Sequence, residues 1–323
     1  MQASLDEARR NTYLRTSNYD ISNTCNLRCE GCLYFSGAGE EISQAESDIA
    51  VWQDFFAAEA RRGVNFAYIG GAEPSLTQDR IRACHDHIPQ GTIFTNGTSR
   101  IDPDIGYRIH ISLWGNDQRT GLYRGANVNR KAMRNYAGDR RAVCVMTLNA
   151  LNLDEIPEVA QACADHGLPL IFSLFSPTVD YNRRIEGAPG MASDYFRFSG
   201  GQSDMRLDDG ALARAREAMF AAADAFPGTV RIVPSFVDWV TQPGSLYALN
   251  NDGVATDCGN RLSHRHVHFN ADLTRNTGKC CSPNIDCRDC RAYAMSYATY
   301  FSRRRRLEID WEEVLTFWRE MFC

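Results

Sequence analysis

The chain has 323 residues, of which 44% are hydrophobic and 23% are charged, and its formal net charge is −5. These values are ordinary for a globular protein with one large domain, or with a main domain and a smaller one attached. The acidic balance argues against nucleic-acid binding, and the sequence shows neither a membrane-length apolar run nor a signal-peptide core. We therefore expect a cytoplasmic protein with no nucleic-acid or membrane partner.

Short apolar runs alternate with amphipathic helical stretches from about residue 19. The predicted strands are Tyr19–Thr24, Asn65–Ile69, Thr92–Thr95, Arg108–Trp114, Ala142–Leu148 and Leu168–Leu174. The clearest predicted helices are Glu46–Arg62, Gln78–His87, Val128–Tyr136, Leu153–His166 and Asp209–Phe226. Such repeats imply parallel strands joined by right-handed crossovers, and they are too few for an eight-fold barrel. We predict an α/β fold with a partial (β/α)6 barrel over residues 19–227, after an N-terminal extension over residues 1–18.

Twelve cysteines are unusually many for a cytosolic chain, where stable disulfides are rare. Three of them lie between residues 25 and 32, and five lie between residues 258 and 290. This grouping favours metal or cluster ligation. The four isolated cysteines are interpreted as buried apolar residues or inert thiols, and they are Cys84, Cys144, Cys163 and Cys323.

The first cysteine group directly follows the first predicted strand. Cys25, Cys29 and Cys32 have CxxxCxxC spacing. Three thiolates on one tight loop can hold three irons of a cubane and leave the fourth iron open, whereas structural zinc usually recruits a fourth protein ligand. An open iron can chelate the amine and carboxylate of an amino acid.

Further polar motifs end the following strands, where the chemistry of a parallel barrel is located. Gly70-Gly71-Ala72-Glu73-Pro74 follows the second strand, and Thr95-Asn96-Gly97-Thr98 ends the third. His110-Ile111-Ser112-Leu113-Trp114-Gly115 ends the fourth, Arg124-Gly125 comes later, and Thr147 and Asn149 end the fifth. Glycines let a backbone approach a ligand closely, and a carboxylate complements an ammonium group.

These motifs, taken in order, resemble those of the radical SAM superfamily over about residues 19–175. The resemblance implies a [4Fe–4S] cluster on Cys25, Cys29 and Cys32 that binds S-adenosyl-L-methionine. It further implies that the cofactor is contacted by Gly70, Gly71, Ala72, Glu73, Asn96, Ser112, Arg124 and Asn149, with Thr147 a weaker candidate. Many members carry an aromatic residue before the third cysteine, where this chain has Gly31. Tyr34 or Phe35 is therefore the candidate for covering the adenine.

The second cysteine group resembles the SPASM/twitch module, which implies an auxiliary [4Fe–4S] cluster in a module over residues 228–323. The implied ligands are Cys258, one of Cys280 and Cys281, Cys287 and Cys290. A structural zinc site is the alternative, because the same four thiolates suit that metal. The spare thiol, Cys281 or Cys280, is a candidate catalytic hydrogen-atom donor for an epimerisation.

Three neighbouring features are open to two interpretations each. His264, His266 and His268 share one face of a predicted strand and either flank the auxiliary cluster or form ordinary hydrogen bonds. The arginines at 303–306, near the end of the first of two predicted helices (about 291–302 and 310–321), form a solvated face or dock an acidic electron donor such as flavodoxin or ferredoxin. The residues at 181–184, Tyr-Asn-Arg-Arg, bind substrate or face water.

The resemblance implies an enzyme that cleaves S-adenosylmethionine to a 5′-deoxyadenosyl radical and abstracts a hydrogen atom from its substrate. We expect a net oxidation with the auxiliary cluster as electron relay. About 18 residues precede the first strand, which favours a small polar substrate such as a sugar, aminocyclitol or nucleoside derivative, as in antibiotic-pathway members that make natural products. The alternatives are epimerisation or other modification of a ribosomal peptide, and sugar-acid decarboxylation. A non-catalytic electron carrier is opposed by the cofactor-binding motifs.

Overall fold

The computed structural model describes residues 15–35, 44–187, 204–259, 266–276, 285–304 and 311–323. Within these ranges seven strands form one sheet in which every neighbouring pair is parallel. The strands are β1 (Thr16–Asp20), β2 (Phe66–Gly70), β3 (Gly91–Thr95), β4 (Arg108–Leu113), β5 (Ala142–Leu148), β6 (Leu170–Leu174) and β7 (Val267–Phe269). Their order across the sheet is β6-β5-β4-β3-β2-β1-β7. The predicted α/β partial barrel is therefore confirmed.

Helices lie between successive strands along the chain, and further helices follow β6 and β7. They are α1 (Ile49–Arg61), α2 (Gln78–His87), α3 (Asp117–Arg124), α4 (Asn129–Tyr136), α5 (Ile156–Asp165), α6 (Val179–Ile185), α7 (Asp209–Ala225), α8 (Pro234–Val240), α9 (Tyr293–Arg304) and α10 (Trp311–Phe322). Short 3-10 turns at Pro74–Leu76 and Leu153–Glu155 precede α2 and α5. No helix in the described ranges is long and apolar enough to cross a membrane.

The outer face of the sheet carries the main apolar core. Alternate strand residues such as Tyr19, Ile69 and Ile111 point to this face, and α1 covers it with the buried rings of Trp52 and Phe56. Three of the isolated cysteines, Cys84, Cys144 and Cys163, are fully buried in this core, as small apolar residues would be, and Cys323 is exposed.

The inner face of the barrel is closed by the C-terminal helix α10. The hydroxyl of Thr92 on β3 donates to the carbonyl of Phe322 at 2.9 Å, and His110 Nε2 lies 2.6 Å from the carbonyl of Met321. The inward-facing Val143 of β5 belongs to a second apolar cluster, which also contains residues of α10. Part of the barrel interior is therefore filled by the chain itself.

Strand β7 was not among the predicted barrel strands. It lies in the segment after residue 228, and it pairs with β1 in the register Asn18 to His268. A strand was predicted at His264, His266 and His268, but it was not assigned to the barrel, because parallel pairing joins segments that are far apart in the sequence. It adds a seventh strand beside the one that leads to the first cysteine group.

Candidate functional site

The first cysteine loop (residues 25–32) begins just beyond β1 and is held by the glycine-rich loop after β2. The amide of Ala72 donates to the carbonyl of Ser22 at 2.8 Å, and the amide of Glu73 donates to Thr24 at 3.1 Å. Gly71 has φ +109°, and a Cβ there would lie 2.5 Å from the Ser22 carbonyl oxygen. Only glycine allows this contact, so the pair of glycines positions the segment that enters Cys25.

The Asn96 loop after β3 also holds the first cysteine loop. Asn96 Nδ2 donates to Asn26 Oδ1 at 2.7 Å, and Asn26 Nδ2 donates to the Thr98 hydroxyl at 2.9 Å. Asn96 Oδ1 accepts from both the amide and the hydroxyl of Thr98. Asn26 lies next to Cys25, so this network fixes the start of the cysteine loop.

Glu73 is buried and joins the two strand-end loops. Its Oε1 accepts from the Ser75 amide at 3.0 Å and from the Thr95 hydroxyl at 2.6 Å, and its Oε2 accepts from the Asn96 amide at 2.8 Å. A carboxylate offers about four acceptor positions. Three of them are therefore engaged by the chain, and one remains on Oε2 for a ligand ammonium group.

The end of α3 supports the other half of the cysteine loop. The carbonyl of Tyr123 accepts from the Glu30 amide at 2.6 Å, and the carbonyl of Arg124 accepts from the Arg28 amide at 3.3 Å. The guanidinium of buried Arg124 donates to the Ser112 carbonyl at 2.5 Å, while its Nε is buried without a hydrogen-bond partner. Arg124 thus ties the end of β4 to the cysteines.

The thiols of the first loop suit an iron–sulfur cluster. Burial raises the pKa of Cys25 and Cys32, and neighbouring Cys29 raises that of Cys32 further. Backbone amides oppose this effect: Leu27 donates to Cys25 Sγ at 3.4 Å, and the amides of residues 34 and 35 act on Cys32. Such donors stabilise a thiolate ligand and tune a bound cluster.

Among the described residues, no group of three Cys, His, Asp or Glu side chains is placed so as to hold one metal ion.

Two further predicted contacts end β4 and β5. Asn149 is fully buried, and its Oδ1 accepts from the Leu151 amide at 2.9 Å, whereas its Nδ2 has no hydrogen-bond partner in the structure. An unpaired buried donor costs about 1–3 kcal/mol, so this amide and the Arg124 Nε favour a bound acceptor such as a hydroxyl or carboxylate. Ser112 and Thr147 are half-buried at the same edge of the sheet.

Gly31, where the superfamily resemblance calls for an aromatic residue, faces two rings. It has φ +57°, and a Cβ there would lie 3.0 Å from the Tyr181 ring and 3.3 Å from the Phe175 ring. Phe35 is buried, and Tyr34 is half-buried in an edge-on pair with it at 5.0 Å. Burial, with a smaller contribution from Asp20, raises the pKa of Tyr34. The candidate role of Tyr34 at the adenine stays a prediction.

Three of the second group's cysteines belong to, or border, one large apolar cluster. Cys258 and Cys290 are buried in the same apolar cluster, and Cys287 packs against that cluster. Cys280, Cys281 and His264 lie outside the described residues, as do the side chains of the arginines at 303–306. Ligation by Cys280 or Cys281 and hydrogen donation by Cys281 therefore stay predictions.

The other two histidines are bonded to β1. His266 Nδ1 lies 2.8 Å from the Thr16 hydroxyl, and burial lowers its pKa to about 4. His268 Nε2 lies 2.8 Å from Asp20 Oδ2, and both residues are buried. Asp20 also approaches Gly70, where a Cβ would lie 3.3 Å from Asp20 Oδ1.

Sequence reasoning missed this Asp20–His268 pair on the inner face of the barrel. The available signal was the alternation in β1, where Asn18 and Asp20 alternate with the outward-facing Tyr19.

The parallel sheet has the fold of the radical SAM partial barrels, and solved structures of other proteins share it. Streptococcus suis SuiB, solved alone, with S-adenosylmethionine and with its precursor peptide SuiA, has TM-scores of 0.54–0.55 and 11–12% identity over 87% of this chain and 63–64% of SuiB. The protein anSMEcpe with bound AdoMet has a TM-score of 0.55 and 13% identity over 95% of this chain and 82% of its own.

A curated relative supports the resemblance at the level of sequence. The sporulation killing factor maturation protein SkfB of Bacillus subtilis is 27% identical over 192 residues, which are 54% of this chain and 45% of SkfB. The chain thus spans less than half the length of that relative. No protein-family profile matches the chain. The resemblance to the radical SAM superfamily is confirmed by fold and by relatives, and the single auxiliary cluster stays a prediction.

Proposed function

We propose that this protein is a radical SAM enzyme that oxidises its substrate through a 5′-deoxyadenosyl radical. The observation that carries the proposal is that two strand-end loops and the end of α3 hold the first cysteine loop, together with the unpaired buried donors of Asn149 and Arg124. When bound, a [4Fe–4S] cluster and S-adenosylmethionine supply the electron and the carbon–sulfur bond from which that radical arises.

The residues of the chain bind and orient these groups. Cys25, Cys29 and Cys32 hold the cluster as thiolates, and the backbone of the loop at residues 70–74, with Glu73, accepts from the methionine ammonium group. The unpaired amide of Asn149 suits a ribose hydroxyl.

Two substrate classes are supported by different observations. The polar pair Asp20 and His268 on the inner face favours a small polar molecule whose hydroxyl or amine bonds to the carboxylate. The comparisons favour a ribosomal peptide, because SuiB was solved with a precursor peptide and SkfB is a maturation protein. We place the small polar substrate first, since this pair puts polar side chains at the end of β1, the strand that leads to the first cysteine loop.

Cofactor cleavage tests the proposal without knowledge of the substrate. Reconstituted and reduced wild-type protein should release 5′-deoxyadenosine and methionine from S-adenosylmethionine. Cys29→Ala should bind less iron and release neither product. Cys163→Ala, which removes a thiol from the outer core, should keep the wild-type iron content and release both products. Wild-type protein that carries full iron yet releases no 5′-deoxyadenosine would refute the proposal.

A substrate trial then separates the two classes. Purified protein is incubated with unlabelled S-adenosylmethionine and either a panel of deuterated aminocyclitols and sugars or a panel of deuterated synthetic peptides. Deuterium that appears in 5′-deoxyadenosine identifies the class on which the radical acts.

A further inference from the structure

The segment from residue 175 to residue 185, here called the connector, runs from the end of β6 through α6. On one side it contacts the first cysteine loop. The Tyr181 ring lies 3.0 Å from the position of a Cβ on Gly31, which directly precedes Cys32, and Tyr181 is fully buried. With φ +57°, Gly31 leaves the room that this ring fills.

On its other side the connector contacts the second cysteine loop (residues 285–290). Asn182 Nδ2 donates to Asp286 Oδ2 at 3.1 Å and to Asp289 Oδ2 at 3.2 Å, and these two residues lie on either side of Cys287. The Asp286 amide donates to the Pro177 carbonyl at 3.1 Å. Thr178 and Ile285 form an isolated antiparallel bridge.

Tyr181 therefore contacts the first cysteine loop and Asn182 contacts the second. These residues are consecutive, so their Cα atoms are about 3.8 Å apart. Both residues are well fixed. The Tyr181 hydroxyl accepts from the Met205 amide at 3.0 Å, and Asn182 is 6% exposed. A rigid contact of this kind sets the distance between the loops.

We propose that the connector fixes the separation of the two iron–sulfur clusters and thereby sets the rate at which an electron passes between them. Asn182 is a positioning residue in this scheme, because it acts through the second cysteine loop. The inference rests on the proposed function and on the auxiliary cluster that is predicted to bind Cys258, Cys287 and Cys290. In the transfer the auxiliary cluster loses one electron, the cluster on the first loop gains one, and no proton moves.

The test uses S-adenosylmethionine alone, and the substrate is not needed. Both clusters are reduced with dithionite, the reductant is removed, and the cofactor is added. One electron cleaves one carbon–sulfur bond and yields one methionine and one 5′-deoxyadenosine. The first equivalent of 5′-deoxyadenosine, released in a first phase, therefore reports the electron of the cluster on the first loop. The second equivalent, released in a second phase, reports the electron that arrives from the auxiliary cluster. Electron paramagnetic resonance of the reduced protein reports the magnetic interaction between the clusters.

Asn182→Ala removes the bonds to Asp286 and Asp289. We expect wild-type iron content and an unchanged first phase, with a second phase slowed severalfold and a weaker magnetic interaction. Asn65→Ala is the matched control, because Asn65 precedes β2 at the opposite end of the sheet and accepts from the Arg15 amide at 2.8 Å. This control should leave both phases and the spectrum unchanged.

The outcomes separate the connector from the function itself. If the second phase and the spectrum are unchanged in Asn182→Ala, the proposed role of the connector is wrong and the proposed function still stands. Loss of the first phase in the wild type overturns the proposed function, and the connector with it. If Asn182→Ala binds less iron, Asn182→Ser carries the comparison; if that variant also binds less iron, the segment acts in cluster assembly and the proposal is overturned.

Discussion

His110 makes the closure of the barrel interior sensitive to acid. Its Nε2 lies 2.6 Å from the Met321 carbonyl, which can only accept, so Nε2 carries the proton. Nδ1 lies 2.5 Å from the Tyr293 hydroxyl and therefore accepts from it. The neutral ring satisfies both partners, whereas a protonated ring would replace the acceptor at Nδ1 with a second donor.

The size of the effect follows from burial, which lowers the pKa of His110 from 6.5 to about 4. A pKa unit corresponds to about 1.4 kcal/mol, so complete protonation costs the fold about 3 kcal/mol. The unfolded chain binds the proton more readily than the fold between these two values. Stability is therefore full above about pH 6.5 and declines as the pH falls toward 4. Between pH 7 and pH 5 the loss from His110 is about 2 kcal/mol.

The assay is urea denaturation of wild-type protein and His110→Gln at pH 7 and pH 5, with matched iron content. The glutamine amide offers one donor and one acceptor and does not titrate. The difference in unfolding free energy between the two pH values should shrink by about 2 kcal/mol in the variant. His266, whose pKa is also lowered to about 4, is present in both proteins and cancels. Equal pH dependence in the two proteins would refute the reasoning.

Three further predictions concern the loops around the first cysteines and the Asp20–His268 pair. Gly71→Ala should lose more than 1 kcal/mol of stability and most S-adenosylmethionine binding in calorimetry, because a Cβ would lie 2.5 Å from the Ser22 carbonyl oxygen; Gly138→Ala, with positive φ and open space, is the control for backbone strain alone. Glu73→Ala should weaken cofactor binding and shift the amide resonance of Asn96, and an unchanged spectrum would contradict its bridging role. Asp20→Leu should cost about 1–3 kcal/mol in urea denaturation, since it leaves buried His268 without this acceptor, and no loss would contradict the pairing.

The strand-end motifs and the helices around them could be predicted from the sequence because their signals are local. Helix α2 was predicted with its exact bounds, and the first helical turn of the predicted Leu153–His166 is a 3-10 turn ahead of α5. Strand β1 lies over Thr16–Asp20, earlier than the predicted Tyr19–Thr24. The prediction was displaced because both faces of β1 are buried and its inner face carries the polar residues Asn18 and Asp20, so the strand does not read as an apolar run.

Other features depend on contacts that no local pattern encodes. Helices α3 and α6 were not predicted, since only a few of their residues are apolar; in α6 the buried side chains include Asn182. The residues at 181–184 were expected to bind substrate or face water, yet Tyr181 and Asn182 are buried between the cysteine loops. The bond from His110 to the Met321 carbonyl joins residues 211 positions apart, and chain closure over that length has no signature in either segment.

The motif residues act first as structural supports of the cysteine loop, and this limits which of them can meet the cofactor. Glu73 has a single acceptor position left, and Asn96 uses both ends of its amide on Asn26 and Thr98. Donors for the ribose and carboxylate must therefore come from groups without partners, which among the described residues include Asn149 Nδ2 and Arg124 Nε. The predicted cofactor-contacting residues thus divide into residues that fix the cysteine loop and residues that have a polar atom available to bind the cofactor. Substitution of Asn149 should change cofactor affinity with little effect on the cysteine loop, whereas Arg124 also donates to the Ser112 carbonyl and its substitution should affect both.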